Sequence, residues 1–188
     1  MHRNQKDKLL SKKFIQNYIE SESKSSIKYN DKFSQIAYSL AYYIKSFSNI
    51  KKLLDYVCLI LKYTFEKKLI LIIPINFEGE IWNENITISS NIRFLQLKEE
   101  INSFVFKFNF SKNFKIKEIK DFDNALKNKF RNLFIESEKI LSRGKCSGFI
   151  YTFSNEANSE SIIDDHKFNF IVNCLAVGLE NHWLIKTK

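Results

Sequence analysis

An α+β fold built on a mainly antiparallel sheet is what this sequence predicts, and three stretches carry the prediction. The first is KKLILIIPINFEGEIWNENITI, residues 67–88. A continuous apolar run, Leu69 to Ile73, reads as a central strand buried on both faces. It enters a polar turn, Asn76-Phe77-Glu78-Gly79, and leaves in alternation, with Trp82, Glu84, Ile86 and Ile88 on one face. Gly79 supplies the positive φ such a turn needs. The second stretch sets Phe104, Phe106, Phe108 and Phe110 at strict period two, a strand pattern. The third is the turn Arg143–Gly148 followed by Phe149-Ile150-Tyr151-Thr152-Phe153. The first two strands share a tight turn and must be antiparallel. Helical spacing dominates both ends of the chain, so the terminal helices should pack on one face of the sheet.

In order, residues 5–20 are weakly amphipathic, with Leu10, Phe14, Tyr18 and Ile19 at helical spacing. The polar run Ser21–Ser26 is the best internal boundary. It separates an N-terminal extension, residues 1–30, from a domain over 31–188. Asp31 suits the N-cap of a helix carrying Phe33, Ile36, Ala37, Leu40, Ala41, Tyr43 and Ile44. Ser48 or Asn49 caps the next, from Ile50 to about Phe65, with Leu53, Leu54, Val57, Cys58, Ile60 and Leu61 inward. A third helix is expected over 92–103, with Phe94, Leu95, Leu97 and Ile101 inward. Residues 111–120 are Lys-rich and irregular. Asp121 then starts a helix running to about Leu141. The last helix starts near Ser161 and Asp164 and runs to about Lys186. Its stripe is Phe168, Ile171, Leu175, Leu179 and Trp183, with Val177 at its edge.

Composition narrows the function classes. At 188 residues and 44% apolar content the chain has enough material for one real core. A formal charge of +9 raises a nucleic-acid reading. Yet the basic residues are nearly all Lys, scattered rather than clustered, and only Arg3, Arg93, Arg131 and Arg143 offer the two-point geometry that clamps phosphate. Nucleic acid is therefore the alternative reading, with Lys112–Lys129 as its phosphate-tracking face. Cys58, Cys146 and Cys174 are far apart and odd in number, which fits a reducing cytoplasm better than a disulfide frame. The N-terminus lacks an apolar signal core, and no apolar run approaches the roughly 20 residues of a membrane span. A cytoplasmic protein without membrane contact is expected.

No constellation reads as catalytic. His2, His166 and His182 are separated by whole elements or several helical turns, so a metal site is not expected and surface positions are. Glu99-Glu100 reads as a solvated face, and Asp121 and Asp123 read as helix-start charge. Cys146 lies near Lys145 and Arg143, which favours a thiolate, but no His stands close in sequence to act as its base.

Leu40-Ala41-Tyr42-Tyr43-Ile44-Lys45-Ser46-Phe47-Ser48-Asn49-Ile50, then Leu53-Leu54, resemble the start of the GAF domain found ahead of the catalytic domain in cyanobacterial protein phosphatases of the 2C, metal-dependent type. There a helix steps through R/K-S-F-x-N-L into a second helix. The run from Arg143-Gly144 to Ser154 resembles the family's R-G-R-L-Y-V-F-S strand with a few residues inserted. Cys174-Leu175-Ala176-Val177-Gly178-Leu179-Glu180-Asn181 resembles the A-V-A-I-E-N close of the last GAF helix. The resemblance spans roughly residues 33–185 in order.

It implies a GAF-like fold and a non-catalytic sensory or dimerising role in signal transduction, coupled to a serine/threonine phosphatase output in cis or in trans. The acidic D-G metal motifs of those phosphatases are absent, since none of Gly79, Gly144, Gly148 and Gly178 follows an Asp. In bilin-binding GAF domains the attachment Cys is commonly followed by His; here Ser147 follows Cys146. Trp82, Phe94 and Phe104 lie where a GAF domain would enclose a small-molecule ligand, which the sequence does not identify. Leu175, Leu179 and Trp183 are the expected homodimer contact, should their stripe exceed what one sheet face covers.

Overall fold

The computed structural model describes residues 35–37, 39–40, 44, 49–64, 67, 69–76, 78–108, 110, 116–154 and 165–186. Contacts divide the chain into two compact units, Met1–Gln35 and Ile36–Lys188. All elements below belong to the second. The expected helix over 5–20, the Ser21–Ser26 boundary, the Asp31 cap and the Ser161/Asp164 cap fall outside the described residues.

The elements are α1 (Ile50–Thr64), β1 (Leu69–Pro74), β2 (Thr87–Ser90), α2 (Leu95–Phe108), α3 (Ile116–Lys129), β3 (Phe134–Ser142), β4 (Lys145–Ser154) and α4 (Asp165–Lys186). Short 3₁₀ turns, Asn83–Asn85 and Ile92–Phe94, flank β2. The sheet order is β2-β1-β4-β3, antiparallel throughout. The fold is α+β, as the sequence implies. No helix among the described residues is long and apolar enough to cross a membrane.

β1 is central and buried along its whole length, which is why its sequence is apolar without alternation. Leu69, Leu71 and Ile73 pair with Phe153, Tyr151 and Phe149 on β4. These six join Ile101 and Val105 of α2 and Ile119, Phe122 and Leu126 of α3 in one core. Alternate residues, among them Ile70, Ile72 and Ile150, take the opposite face. α1 packs there on β1 and β2, α4 on β3 and β4, and the two helices touch each other. They pack tightly at Gly178, where a Cβ would lie 2.3 Å from Leu53 Cδ2.

Local chemistry fixes the ends. Asn49 Oδ1 accepts from Lys51 N at 2.7 Å, so Asn49 caps α1 as its residue type suggests. Arg143 and Gly144 have φ of 49° and 77° and join Ser142 to Lys145, a paired position. Positive φ at both loop residues makes the two-residue turn whose twist matches an antiparallel hairpin.

Four expectations are corrected. Phe104, Phe106 and Phe108 lie in α2, not in a strand. Phe104 and Phe108 are also one helical turn apart, and they share a face with Ile101 and Val105, while Phe106 is 87% exposed. No Gly or Pro interrupts residues 91–110, so the helix continues through the alternation. Leu95, expected inward, is 51% exposed at the start of that helix. The expected helix over 121–141 is instead the end of α3 and the whole of β3. The chain turns at residues 130–133, where Leu133 N donates to Phe130 O. Because the Arg143-Gly144 turn demands a strand on both sides, β4 recruits residues 134–142 as its partner. Asp121 and Asp123 consequently sit inside α3 rather than at its start. Finally, the returning hairpin arm is shorter than its pattern: Ile75 and Ile81 form an isolated bridge, and pairing resumes only at Thr87.

Candidate functional site between the sheet and the middle helices

The layer between the sheet and α2–α3 is lined by aromatic rings. Phe122, at the middle of α3, is fully buried. Its ring centroid is 5.0 Å from Phe108, 5.1 Å from Phe110, 5.6 Å from Tyr151 and 5.7 Å from Phe104. The contacts with Phe108 and Tyr151 are edge-on, at 84° and 72°, the arrangement that aligns ring edge with ring face. Phe104 meets Phe130 edge-on at 85°. Lys129 Nζ lies 5.4 Å above Phe104 and 5.7 Å above Phe130, so its cation closes the outer side of the layer.

One polar pair stands in this wall. Tyr151 is fully buried on β4, and its hydroxyl donates to Asp123 Oδ1 of α3 at 2.6 Å. Burial first, then this bond and the carboxylate's charge, push the phenol pKa well above its ordinary value. The phenol therefore stays a neutral donor, and the pair is an anchor between helix and sheet. The sequence does hint at it: a tyrosine inside the run Phe149–Phe153 needs a partner for its hydroxyl. Only the fold says that Asp123 supplies it.

The three expected ligand residues go to different places. Phe104 belongs to the aromatic layer. Trp82 packs toward α4 instead, stacked on Trp183 at 4.1 Å and tilted against His182 at 5.5 Å. Phe94 is half-buried at the end of a 3₁₀ turn. His182 is thus a packed, half-buried residue and not a surface one; His2 and the side chain of His166 lie outside the described residues. Of the expected dimer stripe, Leu175 and Leu179 are fully buried within the chain and Trp183 is half-buried. Among the described side chains of α4, the exposed large apolar ones are Phe170, Val177 and Leu184, seven residues apart.

The cysteine thiols show no activation. Burial raises the pKa of Cys146, whose Sγ lies 3.5 Å from Gly148 O, and burial raises that of Cys174. Cys58 is pushed up to about 12 by complete burial and by Asp55. Among the described residues, no three His, Cys, Asp or Glu side chains gather as a metal site. The Lys-rich sequence of α3 is interrupted by Glu118, Asp121 and Asp123, which weakens any continuous phosphate track.

Two further polar groupings escape sequence reasoning. Lys67 is buried beside Glu136, at 2.6 Å, and Glu136 also accepts from Thr152 Oγ1 at 3.1 Å. Glu180 on α4 accepts from Arg143 Nε at 2.7 Å and from Ser142 Oγ, holding the β3–β4 turn to the helix.

No known protein-family profile matches this chain, and no curated protein matches it. Among solved structures, it is similar to the GAF domain/HD domain protein from Geobacter sulfurreducens. The TM-score is 0.46 at 10% sequence identity, over 77% of this chain and 99% of that one.

Proposed function

We propose that this chain is a non-catalytic regulatory domain of the GAF type, acting in signal transduction as a sensor or dimerising module. What supports the reading is the meeting of its three resembling segments. Leu53, Gly178, Arg143 and Glu180 all belong to them. Leu53 packs against Gly178, and Arg143 bonds Glu180. Segments distant in sequence thus form one face of the fold. On the other face of the sheet, we propose the aromatic layer that includes Phe104 as the place where a ligand would act.

A ligand or partner would act by biasing how α1 and α4 pack, and the resulting shift would pass to an output domain. The output we propose is a serine/threonine phosphatase, in cis or in trans. The dimer contact we assign to the exposed side of α4, where the seven-residue spacing of Phe170, Val177 and Leu184 forms a seam.

Native mass spectrometry of the purified chain at moderate salt tests this. A dimer is expected, reverting to monomer in Val177→Glu, and a bound small-molecule mass would identify the ligand. A bare monomer at every concentration tried would count against both roles.

A further inference from the structure

β2 is an edge strand of the described sheet. α1 and α2 both pack on it, but among the described residues its outer ladder meets only side chains. Lys51 Nζ donates to Ile86 O at 3.4 Å and to Thr87 Oγ1 at 2.9 Å. Lys62 Nζ donates to Ser90 O at 3.3 Å. Residues 86, 88 and 90 share one direction in an antiparallel ladder, so Ile88 faces outward between the two lysines. Both lysine–carbonyl bonds are longer than the usual 2.9–3.0 Å, and each ties down a flexible side chain. They are easily displaced. Ser90 Oγ is buried with no hydrogen-bond partner, which leaves an unmet polar group at the same edge.

Burial holds the Lys62 pKa below its ordinary value; Lys98 of α2 adds to that lowering, and Cys58 and Asp55 oppose it. Exposed Asp55 is the nearby acid on α1. Two ammonium groups, those of Lys51 and Lys62, therefore bracket a strand edge that offers backbone acceptors, and Lys98 of α2 adds a third positive charge near Lys62.

We propose that the open edge of β2 takes an extended, acidic segment of a partner protein as a further strand. Peptide N–H groups of that segment bond the outward carbonyls of Ile86, Ile88 and Ser90. Its alternate carboxylates take over Lys51, Lys62 and Lys98. Main-chain bonds supply the affinity of such strand addition and the side chains its selectivity. A second copy of this chain is a poor occupant, because Lys51 and Lys62 would face their own counterparts. The inference stands apart from the sensor reading and does not need a ligand in the aromatic layer.

The test uses the full chain and a fluorescein-labelled, end-capped peptide of alternating Glu and Val, about seven residues long, a typical strand length. Anisotropy at low salt should show binding, and an alternating Lys–Val peptide should show none. Full N-methylation of the Glu–Val peptide removes its donors and should weaken binding about tenfold or more. K51M/K62M/K98M should do the same, at roughly two- to fivefold per lysine, with circular dichroism confirming that the variant folds. Hydrogen exchange should show new protection at the Ile88 and Ser90 amides. Equal binding of the N-methylated peptide would overturn strand addition. So would absence of binding up to about 1 mM, the weak limit of specific recognition. Displacement of the peptide by single-stranded oligothymidylate, with a steep salt slope, would overturn it in favour of a phosphate-tracking surface.

Discussion

Tyr151 on β4 and Asp123 on α3 are joined by a hydrogen bond of 2.6 Å, and it is the polar fastening of an otherwise aromatic layer. A hydrogen bond to a charged acceptor contributes about 1.5–3 kcal/mol. Asp123 is only half-buried and rehydrates when its donor is lost. Tyr151→Phe should therefore destabilise by about 1–2 kcal/mol. Urea unfolding measures it; an unchanged midpoint would remove the fastening role.

Cys58 gives the fold an alkaline limit. Its pKa rises from 9.0 to about 12 in the folded chain. The raised value means that its contribution is fully present below about pH 9 and is lost as pH climbs through 12, because only the unfolded thiol ionises readily. The whole effect is on the order of 4 kcal/mol. Cys58→Ala should flatten the stability profile between these limits. If both chains lose stability in parallel there, Cys58 is not the titrating group.

The Lys67–Glu136 pair should be asymmetric. The Lys67 side chain is 6% exposed and that of Glu136 43%. Glu136→Gln strands a buried ammonium and should cost about 3 kcal/mol. Lys67→Met leaves a carboxylate that water can reach and should cost less. Denaturant midpoints of both variants and of the double variant K67M/E136Q decide this; equal single costs would contradict it.

The aromatic series tests the assignment of α2 directly. Phe122→Ala should cost about 3–5 kcal/mol and Phe104→Ala somewhat less, since Phe104 is only partly buried. Phe106→Ser should change stability by no more than about 0.5 kcal/mol, given its 87% exposure. Comparable losses at Phe104 and Phe106 would restore the strand reading.

The sequence by itself determined the elements whose pattern had one interpretation. Leu69–Ile73 could only be a doubly buried strand. Phe149–Phe153 behind the Arg-Gly turn read as another, and Ser48 or Asn49 marked a helix start by its chemistry. The class, α+β with an antiparallel sheet, followed from these. Where two periods fit the same residues, tertiary structure chose. Phe104 and Phe108 satisfy period two and one helical turn equally, and the rings of Phe122 and Phe130 selected the helix. Residues 134–141 fit a helix until β4 needed an edge partner. The site divides in the same way. Trp82, Phe94 and Phe104 were legible as large aromatics near the sheet, but their directions were not, because a side chain's neighbour is set by packing between elements distant in sequence. The same reason hides Asp123 opposite Tyr151, Glu136 opposite Lys67, and Lys51 and Lys62 along β2: each pairing joins residues that only the closed fold makes neighbours.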